Sequence, residues 1–587
     1  MQARPVFRAP SSLRLWRTLA VPLALALPPL FWVVDASRRA SVTTLGRDQG
    51  IFQYVAWALS RGATDYRDVR DVNGPLTHLI HLIFLRLGGA DEHRFRLLDL
   101  AVTGATFAFV GWCAPGACSG RVPRAFERAA WALAGWVTLS GQYLAYGFWD
   151  TAQRESFFDW FLLPSLALQL VAQKARASAG HRCDTRCTMR LLVVVGALSV
   201  IPWFGKPTFA LFTCAQIATV WMDRSTAGTP SKSLLAFALG GAAGGATQLA
   251  FLVSWGDPMA YARIQLIDVP AMYRFIWPRA AADIFSAPFF ATYASFAIAG
   301  AVVFFALILT GEMPVRTAAV ALAPVCALVG VVVQAKGFLY HFHPVTACVH
   351  LQWLVFVAWI SERAGVAPKR WAGARLVPIA VATLISLHVG TELQDSPTIR
   401  DPWLLWGGET PERRAAADYF DHFVRSDFFP TDMREAAAYL RTHTAPGDGV
   451  QTYGMDPYVL FLSARMSATP YIYAYDLNAD AALAGGSGGR PDAAQADRIR
   501  EMRDARESDL LQRVRDRPPA AFVFIDNSPL LSEVDAWDDF EAHCTRTAAW
   551  VLTGYRESAR FGHDHVWLRV TSATVHAPAD DRARDMR

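Results

Sequence analysis

From Leu15 to about Gly390 the chain repeats apolar runs of the length a helix needs to cross a bilayer, roughly 20 residues each. The runs fall at 15–34, 95–113, 129–147, 156–172, 190–204, 207–222, 234–253, 289–309, 317–334, 344–360 and 374–390. Composition supports this pattern over a soluble multidomain chain. Apolar residues make up 53% of the 587 and charged residues 18%, below the roughly 25% of soluble domains. Beyond Asp401 charges become frequent and no run is long enough to span. The expected fold is a polytopic α-helical membrane protein of about eleven spans with a C-terminal soluble α/β domain. The expected division is a membrane domain over 1–394 with a long first loop at 35–94, a linker or docking segment over 395–430, the α/β domain over 431–574, and a disordered tail over 575–587.

Lys and Arg in alternate loops set the expected orientation. Arg4, Arg8, Arg14 and Arg17 precede the first span, and Arg121, Arg124 and Arg128 occupy the next loop on that side. Lys174, Arg176, Arg182, Arg186 and Arg190 follow, then Arg224 and Lys232, Arg316, and finally Arg363, Lys369, Arg370 and Arg375. That face is read as cytoplasmic, in an integral plasma (inner) membrane protein whose N-terminus is cytoplasmic and whose C-terminal domain is extracytoplasmic. The first loop runs against the rule, with seven arginines from Arg38 to Arg86, but its length weakens the rule. Pro22, Pro28 and Pro29, with no small-residue cleavage pattern after Asp35, favour a retained first span over a signal peptide.

No basic run interleaved with aromatics points to nucleic acid. The eight cysteines form no disulfide framework. Cys183 and Cys187 beside His181 have metal-ligand spacing but lack a second ligand pair.

Polar residues that spans do not explain gather in loops of the other face. Asp48 leads into the helical run Ile51–Ser60, and a carboxylate held there can act as general base towards an acceptor hydroxyl or help bind a divalent cation. Asp68 and Asp71 flank a turn ending at Gly74-Pro75, and Leu76–Leu87 reads as an amphipathic interfacial helix carrying His78 and His81. The short loop Phe148–Glu155 holds Asp150, Gln153, Arg154 and Glu155, offering a second acidic ligand or a phosphate-pairing arginine. Lys206 lies between two short apolar runs in a tight turn or re-entrant pair, where an ionisable group marks function by default. Lys336, His341 and His343 cluster in a third loop, and the two histidines can bind metal or phosphate. Aromatic-belt packing explains the Phe and Tyr around them equally well.

In chain order, Arg47-Asp48-Gln49-Gly50-Ile51-Phe52, Tyr66-Arg67-Asp68-Val69-Arg70-Asp71-Val72-Asn73-Gly74-Pro75, Gln153-Arg154-Glu155 and Lys206-Pro207 resemble the motifs of a known family. They are similar to those of the polyprenyl-phosphate-sugar-dependent membrane glycosyltransferases of the GT-C superfamily. The likeness is to the bacterial branch of protein mannosyltransferase-like, lipid A aminoarabinose and rhizobial galacturonosyl transferases. It covers roughly residues 15–390. Gln49 departs from the pattern where a second acid is common, and Asn73 departs where a lysine is usual.

The resemblance implies transfer of a sugar from a polyprenyl-phosphate donor to a glycan, lipid or protein hydroxyl, with Asp48 as base and inversion at the anomeric carbon. Arg70, Arg154, Lys206 and Lys336 are then the candidates for the donor phosphate. Asp71, Asn73, Asp150, Gln153, Glu155, His341 and His343 are substrate or metal candidates. The family leaves a divalent cation open. The competing reading, a transporter or lipid-linked sugar flippase, wants an internal repeat and charges near mid-bilayer, and neither is visible.

In the C-terminal part, Thr431 is placed to cap a helix over Asp432–Thr442. Strands are expected at Val450–Tyr453, Ala520–Asp526, 548–554 and 565–570, a charged helix at Ala493–Arg515, and a mobile glycine loop at Ala484–Pro491. Tyr453–Pro457 and Asp526–Pro529 follow strand ends, where α/β sheets place ligands.

Overall fold

The computed structural model describes residues 11–115, 123–177, 185–223, 230–366, 373, 376–401 and 410–570. His181, Cys183, the side chain of Cys187, part of the basic loop series and the 575–587 tail lie outside the described residues. The chain packs as two compact units. One is formed by 1–49, 73–254 and 279–419, the other by 50–72, 255–278 and 420–587.

All eleven apolar runs of the first unit are helical, from Ser11–Ala40 to Val377–Asp395. Among the described residues seven helices are long and apolar enough to cross a membrane, including Thr18–Ala40, Ser231–Trp255 and Pro288–Leu309. The chain is an integral membrane protein. The shortfall from eleven has a physical origin in the remaining runs. Thr188–Phe204 and Pro207–Met222 are short, Ala125–Leu144 carries Glu127, Arg128 and Gln142, and Arg154–Ala177 carries Glu155 and Asp159 on its buried side.

Lipid-embedded helices gain little from burying apolar surface against one another, so they pack where small residues let backbones touch. A Cβ at Gly111 would strike the Trp131 carbonyl and Gly135, and one at Gly240 would strike the Val193 carbonyl. The apolar residues outside these seams face outward, as Val302 and Leu309 do.

Pro75–Gly88 reverses the expected interfacial arrangement. His78 and His81 are fully buried, His81 against Phe95 and Phe157, while Ile83 and Leu87 are exposed. An apolar edge turned outward suits hydrocarbon rather than water. The segment around Lys206 is two 3₁₀ turns, Ile201–Phe204 and Pro207–Phe209, joining Thr185–Val200 to Ala210–Met222.

The second unit is built on a five-stranded sheet of β1 (Gly449–Tyr453), β2 (Met466–Ser467), β3 (Ala521–Ile525), β4 (Tyr555–Phe561) and β5 (Asp564–Arg569). Their order is β2-β1-β3-β5-β4, with β1 parallel to β2 and β3 and β5 antiparallel to β3 and β4. β3 is the fully buried run of the sequence reading, and its Phe522 and Phe524 pack with Tyr453, Phe540, Val551 and Trp567. Segments 50–72 and 255–278 attach to this core through backbone and hydroxyl bonds. The Asp65 amide donates to the Trp255 carbonyl at 2.8 Å, and the Ser467 amide donates to the Tyr54 hydroxyl at 2.8 Å.

Three local expectations are corrected. The stretch at 548–554 is helix, within Thr545–Gly554, because burial of Thr547, Ala548 and Val551 follows a helical stripe and the strand begins only at Tyr555. Thr431 does not cap its helix, which starts at Pro430 with Phe429 at the cap position. The Thr431 hydroxyl donates instead to Asp421 at 2.5 Å. The glycine loop is a closed turn, Gly486 amide to Gly489 carbonyl at 3.0 Å, with the Gly488 amide on the Pro278 carbonyl at 2.9 Å.

Candidate active site

Asp48 lies in the first turn of the helix Arg47–Ser60, where the helix N-terminus favours a negative charge. Its loop is fixed from below by Gln49, whose amide donates to the Thr151 carbonyl at 2.6 Å and the Trp149 carbonyl at 3.2 Å. Arg96, buried, donates to the Thr44 carbonyl at 2.7 Å and the Phe148 carbonyl at 2.9 Å, tying the same two loops together. Asp48 itself is only half-buried, a carboxylate recessed in protein but still reachable.

Around it the first unit assembles side chains from four further chain segments. The Tyr340 hydroxyl donates to Asp48 and accepts from Arg154 at 3.2 Å, and the guanidinium lies 5.5 Å from the centre of the Tyr340 ring. Arg154 also donates to the side-chain oxygen of Asn73. Glu155, next in sequence and buried, pairs with Lys206 and has His341 Nε2 at 3.6 Å. Asn73, Arg154, Glu155, Lys206 and His341 are thus gathered with Asp48.

The Asn73–Lys206 approach depends on glycine. A Cβ on Gly74 would collide with the Phe204 carbonyl and come within 2.7 Å of the Gly205 carbonyl, although the Gly74 backbone itself is ordinary extended chain. Gly74→Ala is expected to cost about 1–3 kcal/mol by overpacking. Thermal unfolding of the purified protein should show it as a lowered Tm.

The charges are tuned by their surroundings. Burial pushes the Asp48 carboxyl up, Arg154 and Arg47 pull it back, Glu155 adds to the rise, and the net position is above its ordinary value. Burial would also raise Glu155, but Lys206, Arg154 and His341 outweigh it and hold the carboxylate at about 2. Burial draws the Lys206 ammonium down to about 8 against the pull of Glu155. Lys336 is drawn to about 8 by burial on the loop preceding Tyr340.

Other residues singled out in the sequence are placed differently. Arg70 belongs to the second unit, where it pairs with Asp268 at 2.7 Å and Asp476 at 2.8 Å, and Asp71 is buried in the same unit. His343 turns its Nε2 to the Asp150 carbonyl at 2.7 Å and stacks on Tyr146 at 3.9 Å. Gln153 donates to the Trp149 carbonyl at 2.9 Å. Both bonds tie these side chains to the 148–155 loop. Among the described residues no group of three or more His, Cys, Asp or Glu side chains is arranged to hold a metal ion.

Tyr340 does not stand out in the sequence. The signal for Tyr340 is its place beside His341 in a loop marked by Lys336, where interfacial packing explains its ring equally well.

No protein-family model and no curated protein matches the sequence. Among solved structures, the fold is similar to ArnT from Cupriavidus metallidurans bound to undecaprenyl phosphate. That match has a TM-score of 0.53 at 12% identity, covering 96% of this chain and 99% of that one. The chain shares the fold of that structure. AglB from Archaeoglobus fulgidus, in complex with an inhibitory peptide and a dolichol-phosphate, also matches, at TM-score 0.46 and 11% identity over 97% of this chain and 76% of that one.

Proposed function

We propose that this GT-C-fold protein is a membrane glycosyltransferase that moves a sugar from a polyprenyl-phosphate donor to an acceptor hydroxyl on the extracytoplasmic side. The observation that carries the reading is the recessed Asp48 carboxylate, joined through Tyr340 to Arg154 and set in the same unit as Lys206. The undecaprenyl phosphate named with the similar ArnT structure supports an isoprenoid phosphate as leaving group.

In this mechanism Asp48 takes the proton of the acceptor hydroxyl as its oxygen attacks the anomeric carbon. The bond from that carbon to the phosphate oxygen breaks on the opposite side, so the centre inverts. Arg154 and Lys206 neutralise the charge gathering on the departing phosphate. Tyr340 points the carboxylate, and Glu155 keeps the Lys206 ammonium in place. The basic residues of alternate loops in the sequence support a cytoplasmic N-terminus and an extracytoplasmic C-terminal domain.

Reconstituted into proteoliposomes, the purified protein is expected to transfer radiolabelled sugar from polyprenyl-phosphate sugars to a glycolipid, glycan or protein acceptor. Absence of transfer across a panel of such donors and acceptors would sink the proposal. The pH profile of kcat/KM carries the sign of the two tuned groups. The acid limb should lie above the ordinary carboxylate range, since the base acts only when ionised. The alkaline limb should fall through about 8, as Lys206 loses its proton and with it the attraction to phosphate. Lys206→Arg should push that alkaline limb beyond the measurable range.

A further inference from the structure

A second polar cavity lies wholly within the second unit. It opens beside a helical segment made of Pro258–Arg263, a π turn at Ile264–Asp268 and Val269–Ala271. This segment starts three residues after Trp255, the last residue of the span candidate Ser231–Trp255, so it begins at the bilayer surface. Its side chains divide by chemistry. Met259 and Leu266 are 78% and 75% exposed, whereas Arg263, Ile264 and Asp268 line the cavity. An exposed apolar edge backed by cationic groups is the pattern of a helix lying in the headgroup layer.

The cavity measures about 580 Å³, enough for a headgroup, and six arginines against three carboxylates line it. Two arginines are braced. Arg70 and Arg506 are largely buried and share Asp268 and Asp476, Arg506 lying 3.2 Å from Asp476 and 3.7 Å from Asp268. Arg263 and Arg498 are exposed at the cavity and, among the described residues, hold no hydrogen bond or ion pair. Two uncommitted guanidinium groups above a floor of buried, ion-paired arginines match a phosphate, which arginine grips bidentately.

We propose that this cavity binds the phosphate-bearing headgroup of a lipid, with Arg263 and Arg498 on the phosphate and the Met259–Leu266 edge among the acyl chains. The proposal does not depend on the transferase reading. A lipid is favoured over a soluble anion because the arginines and the exposed apolar residues share one segment that starts at a span end.

The test uses the full-length protein in neutral detergent, titrated with dihexanoyl phosphatidic acid, with dihexanoyl phosphatidylcholine and inorganic pyrophosphate as comparisons. Phosphatidic acid should bind, and Arg263→Ala with Arg498→Ala should weaken it about tenfold or more, the loss expected for one strong charge-assisted contact. Arg263→Lys with Arg498→Lys should retain part of the affinity, and Leu266→Ser should weaken the lipid while leaving pyrophosphate unaffected. No binding of phosphatidic acid, or unchanged binding in the double alanine variant, overturns the proposal. So does pyrophosphate that binds as tightly with the same arginine dependence, which would make this a soluble-anion site.

Discussion

Asp48→Asn is expected to remove sugar transfer while leaving the protein folded and inserted. The amide keeps the size of the carboxylate and can still accept from the Tyr340 hydroxyl, so the loop pinned by Gln49 has no reason to move. What disappears is the ability to accept the acceptor's proton. A positioned general base contributes about 10²–10⁴-fold, and loss of that order in kcat with little change in donor KM is the predicted signature. Burial also disfavours the charge at this position, so the variant should melt no lower than the native protein. Should Asp48→Asn transfer sugar at the native rate, the base lies elsewhere.

The second large effect concerns the buried ion pair. Lys206→Met leaves the Glu155 carboxylate, 1% exposed, with only Arg154 at 3.9 Å and His341 at 3.6 Å. Removing one partner of a buried pair costs about 3–5 kcal/mol, and the Arg154 guanidinium that remains places this case at the lower end. The expected result is a marked fall in Tm together with a raised KM for the donor. Adding Glu155→Gln to Lys206→Met should restore most of the stability, because no uncompensated charge is left, but not the donor affinity. A double variant that recovers both would make Lys206 a structural residue only. The pair also sets a limit in acid. Glu155 is held near 2, below its ordinary 4.5, so its contribution to stability is complete above that ordinary value and drains away as pH falls towards 2.

The chemistry-bearing loops were legible in the sequence because bilayer spans leave few places for charge. Asp48, Arg154, Glu155 and Lys206 stood out for that reason, and the structure gathers them. Arg70 shows where such reading stops. Its type, loop and neighbours were those of its companions, yet Asp268 and Asp476 claim it in the other unit, and Asp476 lies 406 residues away in the chain. No local pattern reports a partner at that separation. Tyr340 failed for another reason, since a tyrosine beside a span is equally at home in the interfacial belt and only its hydroxyl's partner distinguishes the two roles. The misread strand at 548–554 was a short apolar run, which fits either periodicity until burial selects one.

The Asp48 cluster draws on five stretches of chain, and that has a consequence for biogenesis. Arg154 and Tyr340 are 186 residues apart. At ribosomal speeds of about 5–20 residues per second, the arginine is made roughly 10–40 s before the phenol that holds it. During that interval the nascent loop must remain hydrated or escorted by the insertion machinery. Deletions that remove the later spans should therefore yield chains that are captured by quality control, even though every early helix is intact.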